Sequence, residues 1–140
     1  MKHWPLLLIA IPFLLCIALT IYATTYNYHQ TCLAEKSDNA LHYMYASQDW
    51  LEENPLRCNA TKEEVVSSLQ EMERRIKINR YSAELIIHVS QVKDKVEILL
   101  IYPGPDGRAN FFTEDEYRRS GDGVVVGGGE AGICFQVKCQ

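Results

Sequence analysis

The first 103 residues contain no glycine, and residues 13–54 contain no proline either. A stretch without either residue lacks the usual formers of turns and breaks, which leaves helix as the reading for most of it. All eight glycines fall between Gly104 and Gly132, so turns and strands belong to the last third. Charge is missing as well: no charged side chain lies between Lys2 and Glu35. Nor is there a basic excess. Without Lys2, thirteen Lys and Arg face eighteen Asp and Glu, a net charge of about −5. That disfavours nucleic acid, which requires a basic face, and anionic lipid surfaces beyond any anchor.

The charge-free stretch includes Trp4 to Ala23, twenty residues dominated by apolar side chains. At about 1.5 Å per helical residue such a run spans about 30 Å, the thickness of a bilayer's hydrocarbon core. Trp4 marks one end, and Tyr22, Tyr26 and Tyr28 mark the other. Aromatic side chains favour both headgroup layers, so these four are the expected interface residues. Pro5 sits in the first turn, where a missing N–H is harmless, and Pro12 should kink the helix. A cleaved signal peptide is the competing reading. It has a basic leading region, a shorter apolar core and small residues before the cut. Here Lys2 is the only basic side chain before the run, and the best cut, after Ile21-Tyr22-Ala23, places a bulky Ile where a small residue belongs. A retained anchor accounts for more of these features. Lys2 before the run, and Glu35, Lys36 and Asp38 after it, favour a cytoplasmic N-terminus and an extracytoplasmic remainder.

Five cysteines are present. Cys16 lies in the apolar run and reads as a packed thiol. Cys32, Cys58, Cys134 and Cys139 form an even set, which in a small exported domain reads as two disulfides. Free thiols in a reducing compartment are the alternative. A zinc site lacks the required spacing, since there is no CxxC pair and no matching histidine pair. Local pairing is disfavoured. Cys134 to Cys139 along an extended strand is about 16 Å, and Cys32 and Cys58 flank a helix of about 30 Å. A bridge needs Cα atoms within about 7 Å. The expected pairing therefore joins one of Cys32 and Cys58 to one of Cys134 and Cys139.

The organisation read from the chain is an anchor or uncleaved signal over residues 1–23, a membrane-proximal helix and linker over 24–60, and an extracytoplasmic α+β domain over 61–140. Leu41, Met44, Tyr45 and Leu51 repeat at helical spacing, with Trp50 beside them, until Asn54-Pro55 stops the helix. A second helix starts near Thr61, whose spacing to Glu64 matches a capping box, and runs to about Asn79 with Val65, Leu69, Met72 and Ile76 as its apolar stripe. Strands are expected over Ala83–Val92 and Lys95–Tyr102, joined by a Lys93-Asp94 turn, then over about Arg108–Phe112, Val124–Val126 and Gly132–Val137. Pro103-Gly104-Pro105-Asp106-Gly107 is a strong turn, and Thr113–Arg119 a short helical turn with its own Thr113/Glu116 box. The fold class is α+β: one N-terminal transmembrane helix, then two helices on a four- to five-stranded antiparallel sheet, stapled by disulfides.

No constellation for catalysis stands out. Gly127 to Gly132 contains G-x-G-x-x-G after a valine run, and so looks like a dinucleotide fingerprint. That motif must open a helix inside a βαβ unit. Here it is followed by eight residues that alternate Ile133, Phe135 and Val137 as a strand does, so a glycine turn is the reading. No Gly-Lys-Ser/Thr supplies a P-loop, and no cofactor or metal is expected. Asn59-Ala60-Thr61 is a glycosylation sequon, meaningful only in a eukaryotic secretory pathway. His88 reads as a sheet-face histidine rather than a general base. Tyr43, Tyr45, Trp50, Phe111 and Phe112 supply aromatic area, most of it for a core. Glu63 and Glu71 on the second helix, and Glu114, Asp115 and Glu116 on the later turn, are the candidate contacts for a partner protein.

Two layouts are similar at the level of organisation. Pilin-like subunits have a long N-terminal helix, then a sheet and late cysteines, but their Gly, aromatic and Glu processing signature is replaced here by Met1-Lys2-His3-Trp4-Pro5. Small membrane-tethered periplasmic immunity or inhibitor proteins, such as those protecting against colicin M, combine one anchor, an α+β domain and a disulfide. The leading expectation is a non-catalytic protein-binding protein held at the inner membrane with its domain in the periplasm or outside. Toxin immunity and envelope-complex roles both fit. A pilin-like or secretion-system subunit and a small exported enzyme are the rivals. The apolar run contains no G-x-x-x-G to signal close helix pairing.

Overall fold

The computed structural model describes residues 4–78, 81–82, 84–104, 107–110, 112–119, 123–127 and 129–140, with backbone only over 4–8. Expectations placed on Asn79, Ala83, Asp106, Phe111 and Gly121, and on the side chain of Trp4, lie outside the described residues. The chain forms two compact units, Met1–Glu35 and Lys36–Gln140.

Helix α1 runs over Trp4–Glu53 with Pro12 inside it. In the first unit its large apolar side chains between Ile9 and Ile21 are exposed, from 70 % at Ile9 to 42 % at Ile17. The helix is long and apolar enough to cross a membrane. Thr20, Thr24, Thr25 and Thr31 return their hydroxyls to carbonyls one turn back, so these polar groups are satisfied within the helix. Cys16, expected as a packed thiol, is exposed on this helix.

In the second unit α1 buries Ser37, Ala40, Tyr43, Met44, Ser47 and Leu51, one face at helical spacing. Asn54 closes the helix by donating from backbone and side chain to the Trp50 carbonyl. Helix α2 spans Lys62–Ile76 and begins at the Thr61 cap. The box is reciprocal: Glu64 N–H donates to Thr61 Oγ1 at 3.4 Å and Thr61 N–H donates to Glu64 Oε2 at 3.1 Å. Lys77, in the left-handed region at φ 52°, ends the helix.

The sheet has four antiparallel strands in the order β1-β2-β4-β3. They are β1 (Ile86–Val92), β2 (Lys95–Tyr102), β3 (Val124–Gly127) and β4 (Glu130–Lys138), with the short helix α3 (Glu114–Arg119) between β2 and β3. The Lys93-Asp94 hairpin holds Lys93 at φ 57°. Gly127 pairs with Glu130, so the valine run and the glycine motif form a hairpin with Gly129 at φ 82° and no helix opens there. The expected strand over Arg108–Phe112 does not form: its described residues belong to no strand, and they lie across the second sheet face, where Ala109 and Phe112 pack. Ala109 and Phe112 pack on the sheet without belonging to it.

Period-two alternation gives the sheet two unequal faces. Ile87, Val96, Ile98, Leu100, Ala131, Ile133, Phe135 and Val137 face α1 and α2 and form the main core with Tyr43, Met44, Leu51, Val65, Leu69 and Met72. The opposite face buries Leu99, Ile101 and Cys134 beneath Tyr117 of α3.

One disulfide closes the domain. Cys58 and Cys139 are bridged with Cα atoms 4.8 Å apart, joining the α1–α2 connection to the C-terminus. The second expected bridge is corrected: Cys32 and Cys134 are thiols. Strand parity is the reason. Cys139 continues the odd-numbered face of β4 toward the helices, whereas Cys134 is on the even face, under α3.

Candidate functional site

A connected network of polar side chains lies on the second sheet face, beside α3. Ser90, Glu97 and Gln136 are direct cross-strand neighbours on β1, β2 and β4. Ser90 Oγ donates to Glu97 Oε1 at 3.3 Å and Gln136 Nε2 donates to Glu97 Oε2 at 3.3 Å. Arg118 of α3 reaches down to Glu97 as an ion pair and also lies 3.7 Å from Glu114. Glu114 Oε1 is 3.5 Å from His88 Nε2. The chain His88, Glu114, Arg118, Glu97 thus links an edge strand, the short helix and a central strand. Glu97 is its most enclosed charge, with its side chain 16 % exposed.

A second carboxylate anchors the other side of α3. Glu130 is fully buried and accepts from the Asn110 backbone N–H at 2.7 Å and from Tyr117 Oη at 3.1 Å. Burial, and then the hydrogen bond and charge of Glu130, push the Tyr117 phenol well above its ordinary range. The helical layer repeats this device. Tyr43 Oη and the Ser82 backbone N–H each donate to Glu73 Oε1 at 2.9 Å. The Tyr43 phenol is raised by burial first and Glu73 second.

The candidate partner residues are mostly engaged locally. Glu71 pairs with Arg74 and Arg75, and these hold its carboxyl below the usual range. Glu116 takes hydrogen bonds from the Thr113 N–H at 2.7 Å and its hydroxyl at 3.0 Å, which lower its carboxyl in the same direction. Glu114 belongs to the network above, and Asp115 is exposed beside it. Glu63 is exposed and lines a cleft of about 400 Å3 with Pro55, Leu56, Arg57, Glu64 and Ser67. Its carboxyl is lowered by hydrogen bonds from its own backbone and from Thr61. These acidic groups are not gathered into one patch: Glu63 and Glu71 are on α2, the other three on α3. Tyr22, Tyr26 and Tyr28 are exposed on α1, with the first two rings stacked at 6.3 Å. Trp50 donates to Ser68 Oγ at 3.0 Å and carries the Arg75 guanidinium 5.7 Å from its ring centre.

Glu97, Arg118, Glu130 and Glu73 were not singled out by the sequence. Glu97 did leave a signal: it is the one acidic residue in β2, where both faces are otherwise largely apolar. Its partners come from β1, β4 and α3, and only tertiary structure supplies them. Among the described residues, no group of three or more His, Cys, Asp or Glu side chains is placed to hold a metal ion. No family model matches this sequence, and no curated protein and no solved structure matches it.

Proposed function

We propose that this chain is a non-catalytic membrane-anchored protein that holds a disulfide-closed α+β domain on the extracytoplasmic side and binds another protein there, as an immunity or inhibitor protein or an envelope-complex component does. The observation that carries the reading is the union of two features in one chain. An apolar helix exposes its large side chains on every side, as lipid contact requires, and a disulfide closes the domain, as an oxidising compartment permits. Lys2 before the span supports a cytoplasmic N-terminus. A tether raises the local concentration of a binding domain at the membrane and so replaces part of its intrinsic affinity. The partner would meet the exposed Asp115 and Glu63 sides of the domain or an edge strand of the sheet.

Membrane fractionation with alkaline extraction, followed by protease treatment of spheroplasts and cross-linking in intact cells, tests this. The expected result is a full-length chain retained in the membrane, a domain accessible from outside, and a recurrent cross-linked partner of different mass. Full-length chain in the soluble cytosol with all five cysteines alkylatable would overturn it.

A pilin-like or secretion-system subunit is the second reading. It is favoured by α1, one helix of 50 residues whose distal part packs on a four-stranded antiparallel sheet. In the same cross-linking experiment it gives a ladder of self-adducts instead of one foreign partner.

A further inference from the structure

We propose that α3 is a fastened cover over the second sheet face, and that it opens as a unit, exposing Leu99, Ile101 and the Cys134 thiol while the helical face of the sheet stays folded. The two faces hold separate apolar clusters. Fifteen buried residues form the helical-side cluster, whereas four, Leu99, Ile101, Tyr117 and Cys134, form the other among the described residues. Stability within a domain follows the local density of buried contacts, and small clusters under short elements open first. The helix of the cover is only six residues long, with Ala109 and Phe112 of the preceding segment packed beside it.

What α3 covers is an apolar strip crossing all four strands. Ile86, Ile101, Gly132 and Val125 are consecutive cross-strand neighbours, with Leu99 and Cys134 paired in an adjacent row. Gly132 forms a notch in that strip, and the Tyr117 ring fills it. Polar fasteners ring the apolar centre: Arg118 to Glu97 and Glu114, Glu114 to His88, and Tyr117 to Glu130. The Arg118 ion pairs act at the margin of the cover and are weakened by salt, while apolar contact and the buried Tyr117–Glu130 hydrogen bond hold its middle. Cys134 is 5 % exposed and lies under the helix, so its thiol reports opening directly.

The test uses the full-length chain in detergent micelles with Cys16→Ser and Cys32→Ser, leaving the Cys58–Cys139 bridge intact and Cys134 as the sole thiol. Its modification by a maleimide is timed across denaturant concentrations below the unfolding transition. Opening of the cover alone exposes little surface, so the rate should depend only weakly on denaturant. Arg118→Ala removes the fastener to Glu97 and should speed modification roughly tenfold, with the domain's folding equilibrium constant lowered by no more than the same factor and the weak denaturant dependence of the rate retained. Glu114→Gln, on the more exposed part of the network, should speed it about twofold, and it carries the test alone if the first variant does not fold. A rate that rises as steeply with denaturant as global unfolding does, or that is the same in the parent and the folded variants, would overturn the proposal.

Discussion

A Cβ placed on Gly132 would lie 2.3 Å from Cε1 of Tyr117. The glycine in the middle of a central strand is therefore there for close approach, since the aromatic ring of α3 sits on the bare backbone. Gly132→Ala should displace the ring and part of α3, costing about 1–3 kcal/mol through overpacking. Chemical denaturation measures this. An unchanged midpoint would show that the ring is not seated in the notch.

The paired tyrosines predict how stability depends on pH. The Tyr43 and Tyr117 phenols are raised above their ordinary value of 10.0, so the folded chain keeps protons that the unfolded chain loses near that pH. Their contribution is fully present below pH 10 and is lost as pH rises beyond it. Tyr81 and Tyr102 shift in the same direction. Melting temperature should fall as pH is raised from about 9 to 11. An absorbance titration of the phenols should show the buried pair ionising only on unfolding.

Tyr43→Phe leaves Glu73 Oε1 with the Ser82 N–H but without its phenol donor. A hydrogen bond to a buried charged group contributes about 1.5–3 kcal/mol, and the variant should lose a similar amount. Calorimetry at neutral pH checks it, and the same variant should flatten the alkaline fall in stability.

The bridge between Cys58 and Cys139 closes a sequence separation of 81 residues. In the chain-entropy picture a loop of that length contributes about 4 kcal/mol. Cys58→Ser, or reduction, should lower stability on that scale. Mass mapping without reductant should recover the Cys58–Cys139 peptide pair, with Cys32 and Cys134 alkylated after unfolding. A Cys32–Cys134 pair would contradict the thiol state of both residues.

Thr61→Ala removes the acceptor for the Glu64 N–H at the start of α2 and should cost about 1 kcal/mol. Thr61→Ser keeps the hydroxyl and should recover most of it. Denaturant titration of the two variants separates loss of the cap from loss of the methyl group.

Local rules carried much of this architecture. Helix α1 was legible because nothing from Phe13 to Asn54 interrupts it, and the Thr61 and Thr113 caps because their partners sit three residues away. The β1–β2 hairpin was legible because a two-residue turn joins two alternating runs. Arg108–Phe112 misled because two of its apolar residues, Ala109 and Phe112, pack onto a sheet without pairing in it. Glu63, Glu71 and Glu116 drew attention as charges, yet their nearest partners are local: a cap, an ion pair and a second cap.

By itself the sequence determined where helix gives way to strand, how long the apolar run is, and that Thr61 and Thr113 start their helices, because these depend on neighbours along the chain; the Lys77 end of α2, short of the expected Asn79, it did not. It did not determine which cysteines meet, that Arg118 reaches Glu97, or that a glycine receives a tyrosine ring. Those depend on strand order β1-β2-β4-β3 and on which face each side chain takes, and a pairing across 81 residues leaves no periodic mark in the chain that forms it.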